Sequence, residues 1–483
     1  MARRLVLGLK NTNLSMSEQQ LHQDTICAVS TAPGIGGIAV VRISGPNAIA
    51  ICDKIFVPFN KCVDLQTAKA YSAHYGQIIH KNEVLDEVVI TVFHAPHSFT
   101  GEDSVEISCH GSIYIQREIL QLLIRNGCRL AMPGEYTQRA FLNGKMDLSQ
   151  AEAVADVISS QSAGQHRLAM SQMRGGFSDK LNSLRERLLH FVSLVELELD
   201  FSEEDVEFAD RSELRNLASE IEKLIAHLEE SFRVGNAIKQ GIPVAIIGET
   251  NAGKSTLLNL LVGEEKAIVS DIHGTTRDAI EDTININGII FRFIDTAGIR
   301  DTKDTIERLG IEKTFEKMHQ AAIVLWVIDL TTPPSAIEEL AQKIVTECAD
   351  KHLILLFNKC DLLPAEELSS RQSLLADVKA DRLYISAKHQ LHTDELKQLL
   401  LSAAALPDLS DNDVIITNAR HYEALTHAHE AILRVLDGLN QNLSGDLLSQ
   451  DIRECLHFLG EITGEITSED VLSNIFKHFC IGK

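Results

Sequence analysis

At 483 residues and 53.4 kDa the chain exceeds what one hydrophobic core serves, so about three domains are expected. Its formal charge of -23, from 45 basic and 68 acidic side chains, excludes a generally basic nucleic-acid-binding surface but not a local basic patch. Nine cysteines without a Cys-x-x-Cys exclude a disulfide framework and a structural zinc site, and point to a reducing, cytoplasmic setting.

Residues 1–22 are expected to form a flexible extension. Leu5-Val-Leu-Gly-Leu9 is too short for a signal-peptide core, and the residues after it are polar. No stretch approaches the roughly 20 apolar residues of a membrane span, so no membrane association is expected.

From 23 to 141 the pattern predicts an α+β module. Two apolar, strand-like runs flank the turn Pro33-Gly-Ile-Gly-Gly37. Gly34 and Gly36 do not complete a dinucleotide-binding fingerprint, because Ala39 stands where its last glycine belongs. Further strands are expected at 70–79, 87–93 and 104–108. A helix over 112–124 follows from the spacing of Ile115, Ile119, Leu122 and Leu123. Arg42 and Glu106 fall in strand-like segments, where an isolated charge lies either on the solvated face or against a ligand.

From 142 to 240 the pattern turns helical, with Gly175-Gly176 as its plain interruption. Eight acidic residues lie between Glu196 and Asp210, spaced as a solvated loop rather than a set of metal ligands. Residues 405–483 are helical again, over 419–438, 446–463 and 468–479. Two helical blocks without strand partners predict one all-α domain, into which the segment 241–404 is inserted.

That segment opens on Val244-Ala-Ile-Ile247, a buried-strand pattern feeding Gly248-Glu-Thr-Asn-Ala-Gly-Lys-Ser255, a complete phosphate loop. Asn251, Ala252, Gly253, Lys254, Ser255 and Thr256 are its candidate phosphate contacts. Lys254 can reach the outer phosphates, and Ser255 can offer a hydroxyl to Mg2+. Thr276, in Asp271-Ile-His-Gly-Thr-Thr-Arg-Asp278, can supply the second Mg2+ hydroxyl. Asp295 and Gly298 of Asp295-Thr-Ala-Gly298 can meet the metal's water and the third phosphate. Asn358, Lys359 and Asp361 form an Asn-Lys-x-Asp signature whose carboxylate accepts from both guanine N–H groups, and Ser386, Ala387 and Lys388 complete the base site. The order of these signals predicts a Ras-like P-loop GTPase domain with a mostly parallel sheet.

Ile299 follows Gly298 where Ras-type GTPases carry a water-orienting glutamine. Asp301, Asp304 and Glu307 lie just downstream, and spacing alone does not choose among them. No arginine finger is evident, which leaves a bound cation as a source of positive charge.

Several motifs together are highly specific. They are Pro33-Gly-Ile-Gly-Gly-Ile38, Arg42-Ile-Ser-Gly45, Gly101-Glu-Asp-Ser-Val-Glu-Ile107, Pro133-Gly-Glu-Tyr-Thr-Gln-Arg-Ala-Phe-Leu-Asn-Gly-Lys145, Asp147-Leu-Ser-Gln-Ala-Glu-Ala153 and the terminal Phe479-Cys-Ile-Gly-Lys483. With the GTPase signals they make residues 24–483 resemble the TrmE/MnmE family of tRNA uridine modification GTPases. The resemblance implies a folate-binding N-terminal domain that also forms a homodimer. It further implies a complex, heterotetrameric or larger, with the MnmG/GidA flavoprotein, and addition of a carboxymethylaminomethyl group to the wobble uridine of certain tRNAs. Arg42, Glu106, Lys145 and Lys483 would contact 5-formyltetrahydrofolate or a related one-carbon carrier. K+ would be held by Asn251, Ser270, Ile272 and Thr275, of which Ser270 and Thr275 also belong to the nucleotide site, and Glu307 would be the water-positioning acid. Ser270 and His273 depart from the family's usual threonine and alanine. Cys480 would bear on modification; Gly482 and Lys483 argue against reading the terminal Cys480-Ile-Gly-Lys483 as a prenylation signal.

Two rival readings share the central domain. An rRNA-binding ribosome-assembly GTPase would need an RNA-binding module, and no such motif or basic run is visible. A regulatory GTPase switch would use the N-terminal domain only as a dimerisation scaffold.

Overall fold

The computed structural model describes residues 24–200, 211–264, 282–294, 318–404 and 414–482. It divides into two compact units, one of Met1–Ile158, Gln172–Phe208 and Ser444–Lys483, the other of Ser159–Ser171 and Ala209–Leu443.

The first unit begins with β1 (Ile26–Val29), β2 (Ile38–Ser44), α1 (Ala48–Asp53), β3 (Phe56–Pro58), β4 (Ser72–His80), β5 (Glu83–Phe93), β6 (Ser104–His110), α2 (Ile113–Arg125) and β7 (Arg129–Leu130). The strands form one sheet in the order β3-β4-β5-β6-β2-β1-β7, antiparallel except where β1 meets β7. Period-two alternation decides its faces. Ala39, Val41 and Ile43 of β2, with Val105 and Ile107 of β6, point into a core that also holds Ile51 and Cys52 of α1 and Ile119 and Leu123 of α2. Arg42 and Glu106 are thereby turned to the opposite face, where the register sets them directly across from each other. Ser44 and Ser104 are paired one row further along that face.

Next come α3 (Glu135–Leu142), α4 (Leu148–Ser159), α5 (Ala163–Met173), α6 (Gly176–Asp200) and α7 (Arg211–Gln240). In α3 the polar residues Glu135, Thr137 and Arg139 are buried along with Tyr136 and Ala140. Ion pairs as well as apolar contacts cover this helix, Glu135 and Arg139 being paired within it.

The inserted segment supplies β8 (Ile242–Ile247), α8 (Lys254–Glu264), β9 (Asp282–Ile286), β10 (Ile289–Phe293), β11 (Ile323–Asp329), α9 (Pro334–Glu347), β12 (His352–Asn358), α10 (Ala365–Ser370), β13 (Asp381–Tyr384) and α11 (Thr393–Ala403). Its sheet runs β13-β12-β11-β8-β10-β9 and is parallel throughout except for the β9–β10 hairpin. Asn287 and Gly288 make the hairpin turn, both at positive φ (50° and 86°), as a type I′ turn requires. Both faces are covered: Val244 and Ile246 of β8 join one apolar cluster, Ala245 and Ile247 the other. A sheet buried on two sides reads as continuous apolar strands, which is how β8, β11 and β12 read.

The chain closes with α12 (Ala419–Asn440), α13 (Gly445–Thr463) and α14 (Glu469–Lys477). Within the first unit α13 packs along α6 and α14 meets α3; within the second, α12 packs along α7. Thr426 donates to Glu229 across the latter pair at 2.8 Å. The segment returning from the inserted domain is fastened to α7: the Ile416 N–H donates to Ser231 Oγ at 3.1 Å. A Cβ added at Gly235 would stand 2.0 Å from the Ile416 carbonyl oxygen, so only glycine allows this approach. The multidomain fold expected from sequence is thus present, with an α+β unit, long paired helices and an α/β GTPase domain between helices. No helix among the described residues is long and apolar enough to cross a membrane.

Candidate functional site: a guanine-nucleotide cradle and a charged pair under two aromatic rings

β8 delivers the chain to the phosphate loop, and α8 begins at Lys254. Gly248 (φ 143°), Asn251 (φ 63°) and Gly253 (φ 104°) give the loop its curl, turning backbone N–H groups toward its centre. Crowding reinforces the choice of glycine. A Cβ at Gly248 would lie 2.2 Å from the Val327 carbonyl oxygen, and one at Gly253 would lie 2.1 Å from Asn358 Nδ2. The Lys254 ammonium donates to the Gly248 and Glu249 carbonyls at 2.7 and 2.6 Å, spanning the loop mouth. Ala252 is fully buried under the loop. Ser255 and Thr256 follow Lys254 on the first turn of α8, where the helix N-terminus adds partial positive charge.

β12 ends at Asn358, which is 3% exposed and joins two loops. Its Nδ2 donates to the Ala252 carbonyl at 2.7 Å, and its Oδ1 accepts from the Ala387 N–H at 3.0 Å. Phosphate loop and base loop are therefore held at a fixed spacing by one side chain. Lys359 (φ 64°) reaches back to Asp329 at the end of β11, with Nζ 2.5 Å from Oδ2. Burial alone would raise the Asp329 carboxyl, but hydrogen bonds from Lys359 and Thr331 outweigh it and hold the group below its usual range. Asp361 is also held low, first by a hydrogen bond from Ser386 and also by the charges of His389 and Lys388. A carboxylate kept ionised and aimed from the loop after β12 is what a paired N–H edge of guanine requires. Lys388 follows Ala387 in the same loop. Asp329 was not singled out from sequence; an acid closing a buried apolar strand at its C-terminal end is the signal that marks it.

The remaining nucleotide and ion candidates, Ser270, Ile272, Thr275, Thr276, Asp295, Gly298 and Glu307, lie outside the described residues, as do Lys483 and the extension over 1–22. Of the residues expected to hold K+ and Mg2+, the described ones are Asn251, in the phosphate loop, and Ser255, on the first turn of α8.

A second constellation occupies the first unit. Arg42 Nε and Nη2 donate to Glu106 Oε1 at 2.9 and 2.8 Å, with side chains 17% and 29% exposed. Neither charge is freely solvated. The guanidinium lies 5.5 Å from the Phe99 ring centroid and 5.6 Å from that of Tyr136, within cation–π range. The Tyr136 hydroxyl donates to the Arg42 carbonyl at 2.8 Å, and burial raises its pKa well above the ordinary value. Lys145 Nζ donates to the Pro96 carbonyl at 3.0 Å, beside the loop that carries Phe99. The chain's end arrives nearby: the Gly134 N–H approaches the Cys480 carbonyl at 3.4 Å, and Ser30 Oγ donates to the Gly482 carbonyl at 3.2 Å. Cys480 is exposed. A largely covered ion pair, flanked by aromatic rings and an exposed lysine, suits a flat, polar heterocycle with an anionic tail. Phe99 and Tyr136 were not singled out from sequence, since aromatics at loop and helix positions have no periodicity to expose them.

A phosphate loop, an Asn-Lys-x-Asp corner and a doubly covered, mostly parallel sheet define a P-loop GTPase. Residues 148–480 match the family model described as the MnmE helical domain, and residues 25–145 match that of the GTP-binding protein TrmE N-terminus. The tRNA modification GTPase MnmE of Bacteroides thetaiotaomicron is 62% identical over 466 residues, covering 96% of this chain and 100% of the relative. That of Parabacteroides distasonis is 63% identical over 461 residues, covering 95% and 100%. Among solved structures, Era of Aquifex aeolicus with GDP.AlF4- is 29% identical, covers 40% of this chain and 66% of that one, and has a TM-score of 0.26. The chain belongs to the MnmE family.

Proposed function

We propose that this chain hydrolyses GTP to drive tRNA modification, adding, with a flavoprotein partner, a carboxymethylaminomethyl group at C5 of the wobble uridine of certain tRNAs. The protein works as a cytoplasmic homodimer with a helical domain drawn from 142–240 and 405–483. The observation that carries this reading is the presence, in one chain of this family, of the Asn358 guanine corner and of the Arg42–Glu106 pair under Phe99 and Tyr136.

In the nucleotide site Lys254 neutralises the outer phosphates, the loop amides between Gly248 and Ser255 fix their position, and Asp361 selects guanine. Ser255 and Thr276 would hold Mg2+; Asn251, Ser270, Ile272 and Thr275 would hold K+, which supplies positive charge against the phosphoryl oxygens. Glu307 aligns the attacking water. At the second site Arg42, Glu106, Lys145 and Lys483 would bind a tetrahydrofolate such as the 5-formyl form, whose one-carbon unit supplies the methylene. Cys480, exposed at the same edge, contributes to modification rather than to hydrolysis.

Two measurements test the reading. Wobble-position nucleosides from cells with and without the gene should differ in the carboxymethylaminomethyl group, and an identical nucleoside profile would refute it. Titration of the full chain with 5-formyltetrahydrofolate should show binding; none would favour a pure switch with an N-terminal dimerisation scaffold.

A further inference from the structure

The strand pair that carries Arg42 and Glu106 carries a second polar row on the same face, one step along: Ser44 on β2 opposite Ser104 on β6. Around this row lies a closed hydrogen-bond network. Ser44 Oγ is 2.7 Å from Thr100 Oγ1 and donates to Glu102 Oε2 at 2.7 Å; Ser104 Oγ lies 3.1 Å from Ser44 Oγ. Arg139 Nη1, from α3, donates to both Glu102 carboxylate oxygens at 3.1 and 3.2 Å. The Glu102 side chain is 11% exposed and that of Arg139 1%. Three more bonds tie down the backbone: Ser98 Oγ to the Glu102 carbonyl at 2.6 Å, the Glu102 N–H to Thr100 Oγ1 at 3.3 Å, and Asn143 Nδ2 to the Thr100 carbonyl at 2.7 Å.

The loop held in this way is the one that matters to the charged site. Phe99 extends from it over the Arg42 guanidinium, and its Pro96 carbonyl receives Lys145 Nζ. We infer that Glu102 is the positioning residue of the one-carbon-carrier site: its carboxylate, anchored by Ser44 and Arg139, fixes the 96–102 loop and with it Phe99 and Lys145 relative to Arg42. This rests on the folate reading above and adds to it a residue that need not touch the ligand. The physical argument is one of preorganisation. A loop already held in its binding geometry gives up less freedom when the ligand arrives, so affinity follows the integrity of the support. Glu102 is suited to the task because an ionised carboxylate can accept from a hydroxyl and a guanidinium at once, and the charge-assisted bonds are the stronger kind.

The test is calorimetric titration of the full chain with 5-formyltetrahydrofolate, beside GTP turnover and thermal unfolding of the same samples. Glu102→Ala is expected to weaken binding by about ten-fold or more with GTP turnover unchanged, whereas Glu102→Gln, which still accepts from Ser44, should recover part of the loss. A purely structural role would lower the melting temperature without this graded return of affinity. If Glu102→Ala fails to fold, Ser44→Ala decides by the same measure, with an expected loss of several-fold. Wild-type affinity in whichever variant decides overturns the positioning role. No binding by the wild-type chain itself refutes the folate reading and the inference with it, and is thereby told apart from a failure of Glu102 alone.

Discussion

The side-chain amide of Asn358 donates to the Ala252 carbonyl at 2.7 Å, so the guanine-reading corner and the phosphate loop are fastened to each other directly. Asn358→Ala leaves that carbonyl and the Ala387 N–H without their partner in a buried setting, at a cost of about 1–3 kcal/mol for each group. GTP and GDP affinity should both fall by about ten-fold or more, measured by displacement of a fluorescent guanine nucleotide. Equal affinity would show that the two loops hold their spacing without the asparagine.

Asp361→Asn exchanges a double acceptor for an amide that offers one donor and one acceptor. The variant should lose guanine and gain xanthine, whose base carries a carbonyl where guanine carries its amino group. Competition of GTP against xanthosine triphosphate checks this, and retained preference for GTP would remove Asp361 from base selection.

Glu307→Ala should keep nucleotide affinity and lose turnover by on the order of 100-fold, the usual contribution of a group that manages a proton or a water. Stopped-flow hydrolysis in K+ reads the effect; unchanged rates would return the choice to Asp301 or Asp304.

If K+ is the ion of the proposed site, replacing it with Na+ should slow hydrolysis by roughly ten-fold or more, because a smaller ion would fit that oxygen set less well while the transition-state charge still needs compensation. Equal single-turnover rates in the two salts would discard the cation.

Glu135, 1% exposed, faces Arg129 and Arg139 at 2.7 and 2.9 Å. Burial pushes its carboxyl up, but the two arginines and the Met132 N–H prevail and hold it below the usual range. Because the folded-state pKa lies below the unfolded one, the pairing contributes stability that is full above about pH 4.3 and lost as pH falls through the folded value. Glu135→Gln should therefore cost about 1–3 kcal/mol at neutral pH, since Arg139 keeps Glu102 and Arg129 keeps Asp24, and should flatten the acid limb of the stability curve. Urea unfolding at pH 7 and pH 4 is the check: a wild-type loss of stability that the variant shares equally would mean that other carboxylates set the acid limb.

Residue patterns revealed the parts of this molecule that repeat or punctuate. Continuous apolar strands, a phosphate loop between strand and helix, and Leu and Ile at helical spacing all carry their own period, and β8, β11, β12, α7 and α12 fall where that period puts them. Elements too short to show a period were not legible: β3 and β7 have 3 and 2 residues, and of the β9–β10 hairpin only the strand around Phe291-Arg-Phe-Ile294 could be read. The helix α3 was hidden for another reason, since Glu135 and Arg139 sit at positions where a buried helix ordinarily shows apolar side chains. At the sites, motif residues such as Lys254 and Asp361 were visible because their chemistry demands fixed types at fixed distances. Asp329 pairs with Lys359, Phe99 packs on Arg42 and Glu102 pairs with Arg139, contacts made by the fold that nothing in linear spacing announces.

The contact at Gly235 and Ile416 bears on how the inserted segment can be handled. With Ile416 held against Ser231 and Gly235 of α7, the chain leaves and re-enters this helical pair at neighbouring points, so a short flexible tether could replace the inserted segment without parting α7 from α12.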